Sequence, residues 1–189
     1  MWRRTLCTLA LALLPALAAA QSCRVDFSVA VTHGVGGLRP GDTLQGTARF
    51  VPTGRSFRQE GGATVHLATG EMTLGPSIRG EVWALVTTSG NPVADLIAVH
   101  ARNVEGLSVA GLRYAGPMTI SLYGRAGQLP APTIPTAQAA WDAMQVSRRF
   151  ALHAQGYDRL AGDIAALILA CDSPAAIDSP VESAYPARQ

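Results

Sequence analysis

The chain has 189 residues, of which 48% are apolar and 15% charged. That is enough for one domain with a packed core, and the low charge with ample Val, Leu and Ile excludes a disordered chain. All 15 basic residues are arginine, which excludes Schiff-base lysines, P-loop lysines and Ser-x-x-Lys nucleophiles.

The first segment in chain order reads as a removable leader. Met1-Trp2-Arg3-Arg4 is a short positive start, Leu6 to Leu17 an apolar run, and Ala18-Ala19-Ala20 a small-residue cleavage site before Gln21. The sequence therefore divides into a signal peptide over 1–20, a β domain over 21–172 and a flexible polar tail over 173–189. With Arg3 and Arg4 set aside, the remaining arginines balance the acidic residues. A neutral surface argues against a nucleic-acid partner. No second apolar run reaches membrane length, so no transmembrane segment is expected after cleavage. Cys7 belongs to the leader. Cys23 and Cys171 form an even pair in an exported chain and are expected to be disulfide-bonded, with Cα atoms within about 7 Å.

Val25, Phe27, Val29 and Val31 alternate with polar or small residues, which predicts a half-buried strand. Gly34 to Gly41 is a turn. Leu44 to Phe50 alternates again, with Gly46 as a bulge, and Pro52 to Gly62 reads as loop. Ala63–Leu67 and Glu71–Leu74 read as two short strands joined through Thr69-Gly70. Val82–Thr87 and Val93–Ala101 follow as strands, separated by Gly90-Asn91-Pro92; His100 falls near the end of the second. Asn103 to Gly106 is a turn, Met118–Tyr123 a strand, and Gly124 to Pro135 a Gly/Pro-rich loop. One short helix is expected near 136–145, with Thr136 as N-cap after Pro135. Phe150 and Leu152 begin another strand. Leu160 to Cys171 fits either a helix or a buried strand by periodicity. About eight short strands with 19 Gly and 12 Pro predict an all-β antiparallel sandwich or barrel.

This order of segments resembles the β-rich domain of exported bacterial proteins that, in many members, carry a C-terminal PEP-CTERM sorting tail. The resemblance rests on Val25 to Val31, Pro40-Gly41-Asp42-Thr43-Leu44-Gln45-Gly46-Thr47-Ala48-Arg49-Phe50, Ile120-Ser121-Leu122-Tyr123-Gly124, and Phe150-Ala151-Leu152 followed by Leu160 to Ile164. It spans roughly residues 24–170. It implies a bacterial envelope or extracellular address and a strand over 163–169. Ser173 to Gln189 departs from the group, having no sorting motif, apolar anchor or closing basic cluster.

His33, His66, His100 and His153 show no metal-ligand spacing and read as surface or rim side chains, with His66 and His153 facing outward. Gly75-Pro76-Ser77-Ile78-Arg79-Gly80 has the wrong spacing for a nucleophile elbow and reads as a turn. Glu60, Glu71, Glu81 and Glu105 are the carboxylates available for glycoside chemistry, and Asp158 and Asp163 those available for calcium. Trp83, Tyr114, Tyr123, Trp141 and Tyr157 could form a platform for sugars or lipids, although Trp83 and Trp141 read first as core. Arg148-Arg149 could attract an anionic surface.

No catalytic residue, cofactor or metal site is assigned. The expectation is a non-enzymatic exported binding or structural module, periplasmic or secreted, with a surface saccharide or a protein as partner. Two alternatives stand beside it. One is a carrier for a small apolar ligand, with a barrel cavity lined by Gly46, Ala48, Ala84 and Ala98. The other is a secreted hydrolase with a loop-borne His and carboxylate site.

Overall fold

The computed structural model describes residues 21–109, 112–153 and 159–172. The expected leader and the tail from Ser173 lie outside the described residues. The strands are β1 (Cys23–His33), β2 (Thr43–Arg58), β3 (Thr64–Leu74), β4 (Ile78–Thr88), β5 (Ala94–Glu105), a small hairpin of β6 (Ser108–Val109) and β7 (Leu112–Arg113), then β8 (Met118–Arg125), β9 (Ser147–His153) and β10 (Arg159–Cys171). A helix, α1 (Gln138–Asp142), lies between β8 and β9. The fold is all-β, and of the two architectures expected it is the barrel. Eight antiparallel strands close in the order β1-β10-β9-β8-β5-β4-β3-β2. Neighbours in space are neighbours in sequence once the β6–β7 hairpin is set aside, and β1 closes the ring by pairing with both β2 and β10. Closure removes the free edges that a sandwich would leave.

Alternation decides what fills the interior. Val25, Phe27, Val29 and Val31 are buried while the residues between them are not. They lie opposite Leu169, Leu167, Ile164 and Gly162 of β10 in turn. Phe50, Phe150, Met72, Leu85, Ile120, Leu122, Trp141 and Met144 occupy the same core. Gly46 is part of that packing. A side chain there would run into the ring of Phe27, which lies over it, and Phe27 in turn packs on Phe150 at 6.3 Å between ring centroids.

Several sequence expectations are corrected. Thr64–Leu74 form one strand and not a hairpin: Thr69 and Gly70 continue the ladder opposite Val51 and Phe50, with a register shift between Leu67 and Gly70. A Cβ at Gly70 would overlap the Arg49 carbonyl oxygen, so glycine here permits close backbone approach and does not mark a turn. The segment from Pro52 is not loop. β2 runs on to Arg58, and Pro52 is tolerated because it sits at an irregularity in the ladder. β5 continues past His100 to Glu105, which places His100 in mid-strand. The helix is shorter than expected; its N-cap is Ala137, with no side-chain cap. Residues 159–171 are strand, because all but Ala165, which falls at a register shift, have a backbone partner on β1 or β9 that periodicity cannot reveal.

Cys23 and Cys171 face each other across β1 and β10 and are bonded, with S–S 2.08 Å and Cα–Cα 4.0 Å. Among the described residues no helix is long and apolar enough to cross a membrane.

Candidate binding groove

The outer wall of β1 to β5 carries a lateral row of charges set by register: Arg24, Arg49, Glu71, Glu81 and Arg102 lie opposite one another in turn. Like charges directly opposite are unfavourable in a sheet. Glu71 and Glu81 form such a pair, flanked on either side by Arg49 and Arg102. A second row, Asp26, Thr47, Thr73, Arg79 and Glu105, runs beside the first. Asp26 takes hydrogen bonds from the Thr47 hydroxyl at 2.7 Å and from Arg24. Burial opposes ionisation of Asp26, but these bonds and the charges of Arg24 and Arg49 hold its carboxyl below the ordinary value.

Three hollows follow these rows along the wall. The first, of about 180 Å³, lies among Thr47, Arg49, Glu71 and Thr73. The second, of about 290 Å³, shares Glu71 and continues past Arg79, Glu81, Asn103 and Glu105. The third, of about 420 Å³, shares Asn103 and ends against Trp83, Arg102, Ala115 and Pro117. Adjacent hollows meet at Glu71 and at Asn103, so the three form a row across β2 to β5, with an indole lining the last.

A bulge builds the Trp83 end. The register of β4 and β5 slips between Arg79 and Glu81, where β5 carries an extra residue. Asn103 sits at that slip with φ 52°, an uncommon conformation for a residue other than glycine. Arg102 and Asn103 are consequently both exposed. Glu81 holds them: Asn103 Nδ2 donates to Glu81 Oε2 at 2.9 Å, and Arg102 Nε lies 3.8 Å from the same oxygen. A second slip, between Val82 and Ala84, leaves Trp83 on the outer wall. His100 meets the indole edge-on at 6.5 Å between ring centroids.

Trp83 is therefore half-buried and groove-facing, not core. Trp141 and Tyr114 are buried, Tyr123 stands on the outer wall, and Tyr157 lies outside the described residues. The expected aromatic platform thus reduces to Trp83 in this groove. Glu71, Glu81 and Glu105 come together, whereas Glu60 lies apart in the β2–β3 turn. Ser77 lies in the β3–β4 turn.

The histidines scatter. His33 is exposed at the end of β1, and His153 lies opposite Arg159. His66 faces inward, against expectation: it lies opposite the core residue Leu85, and its Nε2 is 3.0 Å from the Thr87 hydroxyl. Asp163 lies opposite Arg149, and Asp158 is outside the described residues. Among the described residues no group of three or more His, Cys, Asp and Glu is arranged to hold a metal ion. Arg148 and Arg149 do not form a joint patch, because alternation turns Arg148 inward beside Leu122 and leaves Arg149 exposed.

Burial pushes the imidazole of His100 below its ordinary value of 6.5. Burial does the same to His66, offset in part by the Pro132 carbonyl. Both rings are thus favoured neutral in the fold, and the unfolded chain binds more protons below pH 6.5. Their contribution to stability is complete above that pH and is lost as pH falls through the folded-state values. Thermal unfolding followed from about pH 7 to about pH 5 should show a falling midpoint, and His100→Gln should flatten that fall.

Compared with known protein families, curated proteins and solved structures, the chain matches none.

Proposed function

We propose that the protein is an exported, non-enzymatic binding module of the bacterial cell envelope, and that its outer groove takes an oligosaccharide. The observation that carries this reading is the Trp83 end of the groove. An indole in edge contact with His100 stands beside Arg102 and Asn103, which share one anchoring carboxylate. The C–H face of a pyranose stacks on such a ring. Its hydroxyls take and give hydrogen bonds to guanidinium, amide and carboxylate groups of fixed geometry. The groove beyond, lined by Glu71, Arg79 and Glu105, offers the same chemistry to further sugar units. The leader pattern, the resemblance to exported bacterial domains and the Cys23–Cys171 bond support the envelope address.

An apolar carrier is compatible with the closed barrel; of the residues assigned to its cavity, Gly46 is covered by the Phe27 ring, and Ala48, Ala84 and Ala98 are buried. Glycoside hydrolysis is the second reading, favoured by the facing pair Glu71 and Glu81.

The test is titration with cello-, chito- and malto-oligosaccharides, read by calorimetry and by indole fluorescence. Trp83 is the groove fluorophore, and Trp141 is a buried reference. One series should bind, and Trp83→Ala should weaken it by about ten- to a hundredfold, the loss of a stacked ring. Failure of all three series to bind overturns the reading. Release of reducing ends that Glu71→Gln abolishes would establish the hydrolase instead.

A further inference from the structure

β5 runs from Ala94, opposite Arg125, to Glu105, opposite Arg79. The saccharide groove lies along its second half. At its first end a separate hollow of about 440 Å³ lies among Arg125, Gln128, Ala143, Gln145 and Val146, where the segment between β8 and β9 leaves and rejoins the barrel. Short-range bonds fix its rim. The Arg125 N–H donates to Gln128 Oε1 at 2.6 Å, the Val146 N–H to the Tyr123 carbonyl at 2.9 Å, and Gln145 Nε2 to the Asp142 carbonyl at 2.5 Å. These bonds use one group of each glutamine amide. Gln128 keeps its NH2 as a donor, and Gln145 keeps its Oε1 as an acceptor. Arg125 is exposed, and the ion pairs found among the described residues, Arg24–Asp26 and Arg102–Glu81, do not include it. No acidic side chain lines the hollow. Asp142, on the same segment, accepts from Gln138 Nε2, and Asp95 is buried against the Leu129 N–H. The hollow therefore carries a net positive charge. Beside that charge lie Ala143 and Val146, the latter with 62% of its surface exposed.

We propose that this hollow is a second binding site, for the C-terminus of a peptide that ends in a small apolar residue. The terminal carboxylate pairs with the Arg125 guanidinium, whose parallel N–H groups match two carboxylate oxygens. The Gln128 NH2 donates to the same carboxylate. The last peptide N–H donates to Gln145 Oε1. The terminal side chain covers Ala143 and Val146 and takes their apolar surface out of water. A bare anion would use the guanidinium and leave the acceptor and the apolar wall unmatched, so the peptide end is the better fit. The volume lies within the range of small-ligand sites, roughly 300–1,000 Å³. The hollow shares no lining residue with the saccharide groove and does not depend on it.

The probes are N-acetyl-alanyl-alanine, its C-terminal amide and inorganic phosphate. Each is titrated into the protein and followed by nuclear magnetic resonance, which resolves the side-chain amides of Gln128 and Gln145. The peptide acid should bind and shift both amides. The peptide amide, which lacks the terminal charge, should bind at least tenfold more weakly, and so should phosphate. Arg125→Gln and Val146→Glu should each weaken binding of the acid by at least tenfold. Both positions are exposed, so both variants should keep the unfolding midpoint of the unchanged protein. Absence of binding by the acid overturns the proposal. So does equal binding of acid and amide, and so does binding that Arg125→Gln leaves unchanged. Phosphate binding as tight as the peptide would show a simple anion site and overturn the peptide assignment. If a variant fails to fold, the comparison of acid, amide and phosphate on the unchanged protein decides the matter.

Discussion

Breaking the Cys23–Cys171 bond should lower stability by about 5 kcal/mol, the chain-entropy value for so long a loop. The bond spans 148 residues and joins the first strand to the last. Its effect is mainly on the unfolded chain, which loses conformations when its ends are tied. The folded barrel already holds those ends together through the β1–β10 ladder, which runs from Cys23 opposite Cys171 to His33 opposite Ala161. The same barrel should therefore form without the bond, less stably. For a domain of this size the change is roughly 10–20 °C in the unfolding midpoint. Cys23→Ser with Cys171→Ser, compared with the oxidised protein in a calorimeter, is the measurement. A fall of under about 2 °C would show that the unfolded chain keeps β1 and β10 together unaided.

Trp141→Ala should cost about 3–5 kcal/mol, the range for removing a fully buried aromatic. The helix that carries Trp141 has five residues, too few to be stable alone. Its position depends on the indole inside the barrel and on Gln138, whose amide donates to the Leu167 carbonyl and accepts the Leu169 N–H. These bonds satisfy backbone groups of β10 above the point where β9 ends. The Ala variant opens a cavity and leaves the Pro135 carbonyl without its donor. Trp141→Phe keeps most of the packing and loses one hydrogen bond, so it should cost about 1–2 kcal/mol. Denaturant unfolding of the two variants should show that ordering. Equal losses would mean that the hydrogen bond, and not the ring, holds the segment.

Much of the strand content is legible residue by residue. Val25 to Val31, Leu44 to Phe50 and Met118 to Tyr123 alternate cleanly because each has one face on the core and one on solvent. Local sequence misleads where a strand bends. Thr69-Gly70 looks like a turn and Pro52 like the start of a loop, since local sequence cannot distinguish a bulge from a reversal. The same bulges account for the misplaced side chains. His66 was expected outside and Trp83 inside, and each slip in register moves a residue to the other face. For the groove, the glutamates and the indole could be named from sequence as sugar-contacting types. Their convergence could not, because Glu71, Glu81 and Arg102 are brought together by ladder register alone.

The sequence by itself determined the all-β class, the apolar faces that form the core and the pair of cysteines at the two ends. These follow from local periodicity and composition, which each segment carries alone. The tertiary structure decided that the sheet closes, that β10 is a strand, that Trp83 stands outside and that Asp95 is fully buried. Each of these depends on which strand lies beside which, and pairing across the chain is a property of the assembled barrel that no single segment contains.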